Sequence, residues 1–139
     1  MFENEDYAAK TMDEEVTGEY FTANGERVRS KSEIIIADHL RRYGVVYKYE
    51  KPLELTVHGR RVTFYPDFTV MNSRTGRIYY LEHFGMMDNE NYAHNVYSKL
   101  QLYQSVGIIP SMQLLTTFET RQNPLDYEYV ELLIQYYFT

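Results

Sequence analysis

Two stretches decide how this chain is read: FYPDFTV, residues 64–70, and YLEHFG, residues 80–85. Each places an acid, Asp67 in the first and Glu82 in the second, inside a run that otherwise reads as core. Burying an unpaired charge costs on the order of several kcal/mol or forces the group to neutralise. Two such carboxylates on successive strands predict something positive between them. Strand alternation puts Phe64, Pro66, Phe68 and Val70 on one face of 61–70, and Tyr65, Asp67 and Thr69 on the other. Along 77–84, Ile78, Tyr80, Glu82 and Phe84 share a face. A hairpin turning at NSRTG, 72–76, brings 66–67 roughly opposite 81–82, and a one-residue bulge there would settle which face each acid takes. A divalent cation relieves like charges held this closely. An Arg or Lys in an ordinary sheet-edge ion pair is the plainer alternative.

Upstream, RSKSEIIIADHLRRYG predicts a helix over about 30–43, with Ser30 and Glu33 as an S-x-x-E capping box and Gly44 as terminator. VVYKYE and LELTV read as short strands parted by Lys51-Pro52, and HGR turns into one longer strand, RVTFYPDFTV. Downstream, Asp88 or Asn89 caps a helix to about Ser105, QLLTTF is a last strand, and Pro124 opens a C-terminal helix. The order is helix, three or four strands, helix, strand, helix. That αβββαβ order with an extra C-terminal helix predicts an α/β domain, a mixed central β-sheet flanked by helices.

Charge is unevenly placed. Residues 1–20 hold seven acids against Lys10, which accounts for the whole net charge of −6, since 13 acids and 13 bases follow. Residues 1–25 are therefore expected to be an acidic leader, poorly ordered or loosely docked, before a single domain at 26–139. Residues 27–61 carry nine bases and four acids, a balance that suits phosphate but equally suits a plain solvated surface. No cysteine is present, so disulfides and thiolate metal sites are excluded. With no apolar run near 18 residues and no signal-peptide pattern, the expectation is a soluble, cytoplasmic chain without a membrane partner.

Two further charges sit on apolar helical stripes. Glu33 falls between Ala37 and Leu40 beside Ile36, where capping alone does not require it. Lys99 falls within the stripe Tyr92, Val96, Tyr103 and Val106. It either snorkels to the rim or delivers its ammonium to an anion beneath the helix.

Taken in order, Glu33, YPDF and YLEHF resemble the PD-(D/E)XK nuclease superfamily over about residues 26–120. GERVRSKSE, YKYEKPL, YPDF and EHFGMMD together look like one bacterial branch of it, in which this domain can follow a longer N-terminal region. The resemblance implies a restriction-endonuclease-like core and phosphodiester hydrolysis of DNA, with RNA as the other candidate, dependent on Mg²⁺ or Mn²⁺. It implies that Asp67 and Glu82 bind the metal with the backbone carbonyl of His83, and that Glu33 holds a metal or its water. The sequence departs from the motif at Phe84, where a lysine is called for. Lys99 supplying the ammonium from the helix is the favoured replacement; His83 acting instead, or loss of catalysis with binding retained, are the others. A partner-docking domain of the same fold is the further alternative.

Arg29 and Lys31, at the first helix's N-terminus, are expected to contact nucleic-acid phosphates, with Lys48, Arg60 and Arg61 extending the track. Tyr47, Tyr49 and Tyr65 are stacking candidates, though tyrosines in strands more often fill core or edge. Glu50 is a minor candidate for an extra ligand. His39, His58 and His94 lack metal spacing and read as surface residues. Leu132, Leu133, Tyr136 and Tyr137 form a stripe that packs on the core; exposed, it would be a homodimer surface.

Overall fold

The computed structural model describes Phe2, Tyr7 and residues 19–139. The remainder of the expected acidic leader lies outside the described residues. The elements run β1 (Tyr20–Phe21), β2 (Arg27–Val28), α1 (Lys31–Arg42), β3 (Val46–Tyr49), β4 (Leu53–Val57), β5 (Arg60–Phe64), β6 (Phe68–Met71), β7 (Ile78–Phe84), α2 (Glu90–Ser105), β8 (Leu114–Phe118) and α3 (Tyr127–Tyr137). The hairpin β1–β2 straddles the expected boundary at 25/26.

The central sheet has order β3-β6-β7-β8, antiparallel except for the parallel pair β7/β8, which the helix α2 connects. It is a mixed sheet in an α/β fold. Strand periodicity sends Phe68, Val70, Tyr79, Leu81 and Leu115 to one face, against Ile36, Ala37 and Leu40 of α1 and Val130, Ile134 and Phe138 of the α3 segment. The other face packs Leu114 and Tyr80 against Tyr103 and Leu100 of α2 and Phe64 of β5. Fully buried side chains such as Phe68 contribute about 1.5–3 kcal/mol each relative to exposure. Among the described residues no helix is long and apolar enough to cross a membrane.

The strand expected at 61–70 is two strands. β5 pairs with β4 in a separate two-stranded sheet, and β6 enters the central sheet, with Tyr65–Asp67 irregular between them. Pro66 has no N–H for a ladder, which ends the first pairing there. The break also separates Phe64 from Phe68, which uninterrupted alternation would have put on one face; they belong to cores on opposite sides of the sheet.

Three other readings change. Asp126, rather than Pro124, starts α3: its carboxylate accepts from Glu128 N at 3.0 Å and Tyr129 N at 3.3 Å. The buried face of that helix is Val130 and Ile134, so Leu132 and Tyr136 are exposed. His39 is buried, with Nδ1 2.7 Å from Ile35 O and Nε2 3.6 Å from Glu131, because α3 covers it.

Candidate functional site

The site forms where β6 begins and β7 ends. Phe68 pairs with Leu81, so Asp67, one residue outside the ladder, falls opposite Glu82 on the same face. No bulge or slip is needed. Asp67 Oδ2 accepts from His83 N at 2.7 Å, and Glu82 Oε1 accepts from Asp67 N at 3.2 Å. Each carboxylate is therefore held by the other strand's backbone. Glu119 N donates to Phe84 O on the β8 side, whereas His83 N turns toward Asp67. Both backbone groups of a strand residue point the same way, so the His83 carbonyl also lies on the Asp67 side.

Glu82 is 1% exposed, and both its carboxylate oxygens are bonded. Its Oε2 accepts from Tyr103 Oη at 2.8 Å and lies 2.6 Å from Lys99 Nζ. The helical stripe of α2 thus carries an ammonium and a phenol onto one buried oxygen. Lys99 remains a third exposed, so its nitrogen sits at the boundary between Glu82 and solvent.

Glu33 is buried on α1. Its N–H donates to the Ser30 hydroxyl at 3.2 Å, as half of the expected capping box. The reciprocal bond differs: Glu33 Oε1 accepts from Arg29 N at 2.9 Å and from Tyr49 Oη at 2.7 Å. Among the described residues, Glu33 Oε2 and Asp67 Oδ1 receive no protein donor.

Burial, then the charges of Glu82 and Glu33, hold the Asp67 carboxyl well above the ordinary carboxylate range, against the opposing effects of His83 N–H and Lys99. Burial likewise raises Glu33, with Glu50 adding repulsion and the Tyr49 and Arg29 hydrogen bonds opposing it. Crowded, desolvated carboxyls with open oxygens are what a hard divalent cation answers. Among the described residues no three His, Asp or Glu side chains converge as a metal-binding group. A cation at Asp67 and Glu82 would take its other ligands from water, backbone and substrate, as Mg²⁺ characteristically does.

Several expected site residues are placed otherwise. Arg29 does not join an exposed basic track: its Nε lies 2.6 Å and its Nη2 3.2 Å from the two oxygens of Glu50, and its side chain is 16% exposed. Glu50 is spent on that pair and is no spare ligand. It is buried at φ +49, and its N–H donates to Asp67 O at 3.0 Å. The pair ties the backbone before Glu33 to the backbone of Asp67. Removing one partner of a buried pair strands the other charge. Arg29→Met is expected to lower stability by about 2 kcal/mol, and Arg29→Met with Glu50→Gln to recover most of it. Chemical denaturation of both variants measures this.

Lys31, Arg60 and Arg61 are exposed, Arg61 pairing with Glu54, while Lys48 is half-buried with its Nζ 5.9 Å from the Phe2 ring centroid. Tyr47 bonds Glu26 and Tyr49 bonds Glu33, and both rings pack edge-on against Phe68. The buried His83 ring turns away from Glu82: Nδ1 is 2.8 Å from Thr117 Oγ1 and Nε2 2.7 Å from Glu119, which also accepts from Ser32. Burial pushes the His83 pKa down.

No family model, curated protein or solved structure matches this chain.

Tyr49 was legible as a stacking candidate or strand filler, and Tyr92 and Tyr103 as stripe residues, yet Tyr49 and Tyr103 donate to site carboxylates. For Tyr103 a signal existed, since it lies four residues after Lys99 on the same helical face. The Ser32–Glu119–His83 contacts had none, joining residues far apart in the chain.

Proposed function

We propose that this chain is a Mg²⁺- or Mn²⁺-dependent nuclease that hydrolyses phosphodiester bonds of DNA, built on an αβββαβ core of the restriction-endonuclease-like type. The carrying observation is the Asp67–Glu82 pair held backbone to side chain across β6 and β7, with Lys99 Nζ 2.6 Å from Glu82. A bound divalent ion would supply charge stabilisation at the phosphate and acidify its water. Asp67 and Glu82 would hold it with the His83 carbonyl. Glu33, whose Oε2 has no protein donor among the described residues, would accept the proton of the attacking water. The water oxygen bonds phosphorus as the bond to the leaving sugar oxygen breaks; that oxygen keeps the electron pair and takes a proton from solvent. The Lys99 ammonium offsets charge on the phosphoryl oxygens, the role the motif gives to the position held here by Phe84.

One observation favours a second reading, a binding domain without turnover: Lys99 is already engaged by Glu82. Plasmid cleavage separates the two. Wild-type chain is expected to nick supercoiled plasmid in Mn²⁺ or Mg²⁺ and to stop on chelation, and Asp67→Ala to be at least about 10³-fold slower. Cleavage that survives Asp67→Ala undiminished ends the nuclease assignment. Metal-independent, salt-sensitive binding alone selects the second reading.

A further inference from the structure

Three tyrosines surround the site carboxylates, and they are not used alike. Tyr49 gives its proton to Glu33 and Tyr103 gives its proton to Glu82. Tyr92 does neither. Its Oη accepts from Gly85 N at 3.1 Å, and among the described residues no acceptor takes the Tyr92 proton.

The placement follows from the helix. Asn89 caps α2 by accepting from Tyr92 N at 2.9 Å, which fixes the first turn beside the end of β7. Tyr92 precedes Lys99 by two turns, so both point from the same stripe. Gly85 directly follows β7, and its N–H donates to the phenol oxygen, which ties Tyr92 to the end of the strand that carries Glu82. Asp67, Glu82 and Glu33 all act on Tyr92 electrostatically. Burial and those charges raise its pKa, so the group stays a protonated phenol, a donor, at neutral pH.

A phenol has one proton to give. Here it is half-buried, within electrostatic reach of three carboxylates, and among the described residues it bonds to none of them. We propose that the Tyr92 hydroxyl donates a hydrogen bond to a non-bridging oxygen of the scissile phosphodiester. This rests on the hydrolase reading above. The acceptor is an anion drawn in among the carboxylates, and the bond strengthens as negative charge builds on those oxygens. The Gly85 N–H, donating into the same oxygen, polarises the O–H toward that acceptor.

Tyr92→Phe removes the hydroxyl alone. In single-turnover cleavage of a short duplex with Mn²⁺, the expected result is a rate about 10- to 100-fold lower at saturating enzyme. Affinity for the same duplex carrying a phosphorothioate, read by fluorescence anisotropy, is expected to fall only about two- to fivefold. Mn²⁺ affinity stays as in wild type, since the hydroxyl contacts neither Asp67 nor Glu82, and Tm falls only slightly through loss of the bond from Gly85 N; a purely structural role would lower Tm and leave the cleavage rate unchanged. Equal rates in the two proteins overturn the proposal. If the wild-type chain does not cleave, the hydrolase reading fails separately. Duplex affinity then decides the contact: weaker in Tyr92→Phe upholds it, equal overturns it.

Discussion

Lys99→Met is expected to slow Mn²⁺-dependent cleavage by about 10²–10⁴-fold, the range typical of losing a charge aimed at a developing oxyanion. Methionine keeps the length and apolar stem of the side chain, so the stripe of α2 still packs on Tyr80 and Leu114. What goes is the ammonium 2.6 Å from Glu82 Oε2. Tyr103 and the Asp67 N–H still bond Glu82, and Lys99 is a third exposed, so solvent screening limits the stability loss to about 1 kcal/mol. A large rate loss with a small Tm change is therefore the expected pattern in single-turnover assays and thermal melts. If Lys99 served only as a counter-ion for Glu82, saturating Mn²⁺ would replace it and restore the rate. Wild-type rates in Lys99→Met remove the lysine from the chemistry.

Asp67→Asn is expected to stabilise the metal-free protein while abolishing its response to metal. The folded chain holds the Asp67 proton more tightly than the unfolded chain does, because burial and the charges of Glu82 and Glu33 oppose ionisation. Unfolding then releases a proton at pH values between the unfolded carboxyl, about 3.9, and the folded one. The stability contribution is present at low pH and is lost as pH rises through the folded value. Asparagine keeps an oxygen to accept from His83 N and removes the charge. At pH 7.5 in chelator its gain should be about 1–2 kcal/mol, roughly 3–8 °C in Tm, shrinking toward pH 4. Mn²⁺ at about 100 times Kd should stabilise wild type by about 2.7 kcal/mol and the variant far less. Melts from pH 4 to 8, with and without Mn²⁺, read both effects. A variant less stable than wild type at pH 7.5 would mean that Asp67 carries no strain.

Much of this was legible in the chain. α1 with its Ser30 cap, α2 with a cap at 88 or 89, the mixed sheet and the facing of 67 with 82 follow from side-chain periodicity and local hydrogen bonding, which the sequence displays. The break at Tyr65–Asp67 was less visible. The alternation of aromatic residues continues across Pro66, and only the ribbon's docking against Tyr103 shows that Phe64 has left the central sheet. Leu132 and Tyr136 look like core by period, yet the cap at Asp126 and the packing of Val130 and Ile134 rotate them outward.

By itself, the sequence marked Glu33, Asp67, Glu82 and Lys99 as charges on apolar stripes or strands, but not the burial of Glu50 with Arg29. Periodicity is a local property, written in every few residues. Which of them pair was decided by tertiary structure alone. Arg29 closes on Glu50, His83 on Glu119 and Lys99 on Glu82. Each partner comes from another element, and ion pairing depends on distance in space, which spacing along the chain does not encode.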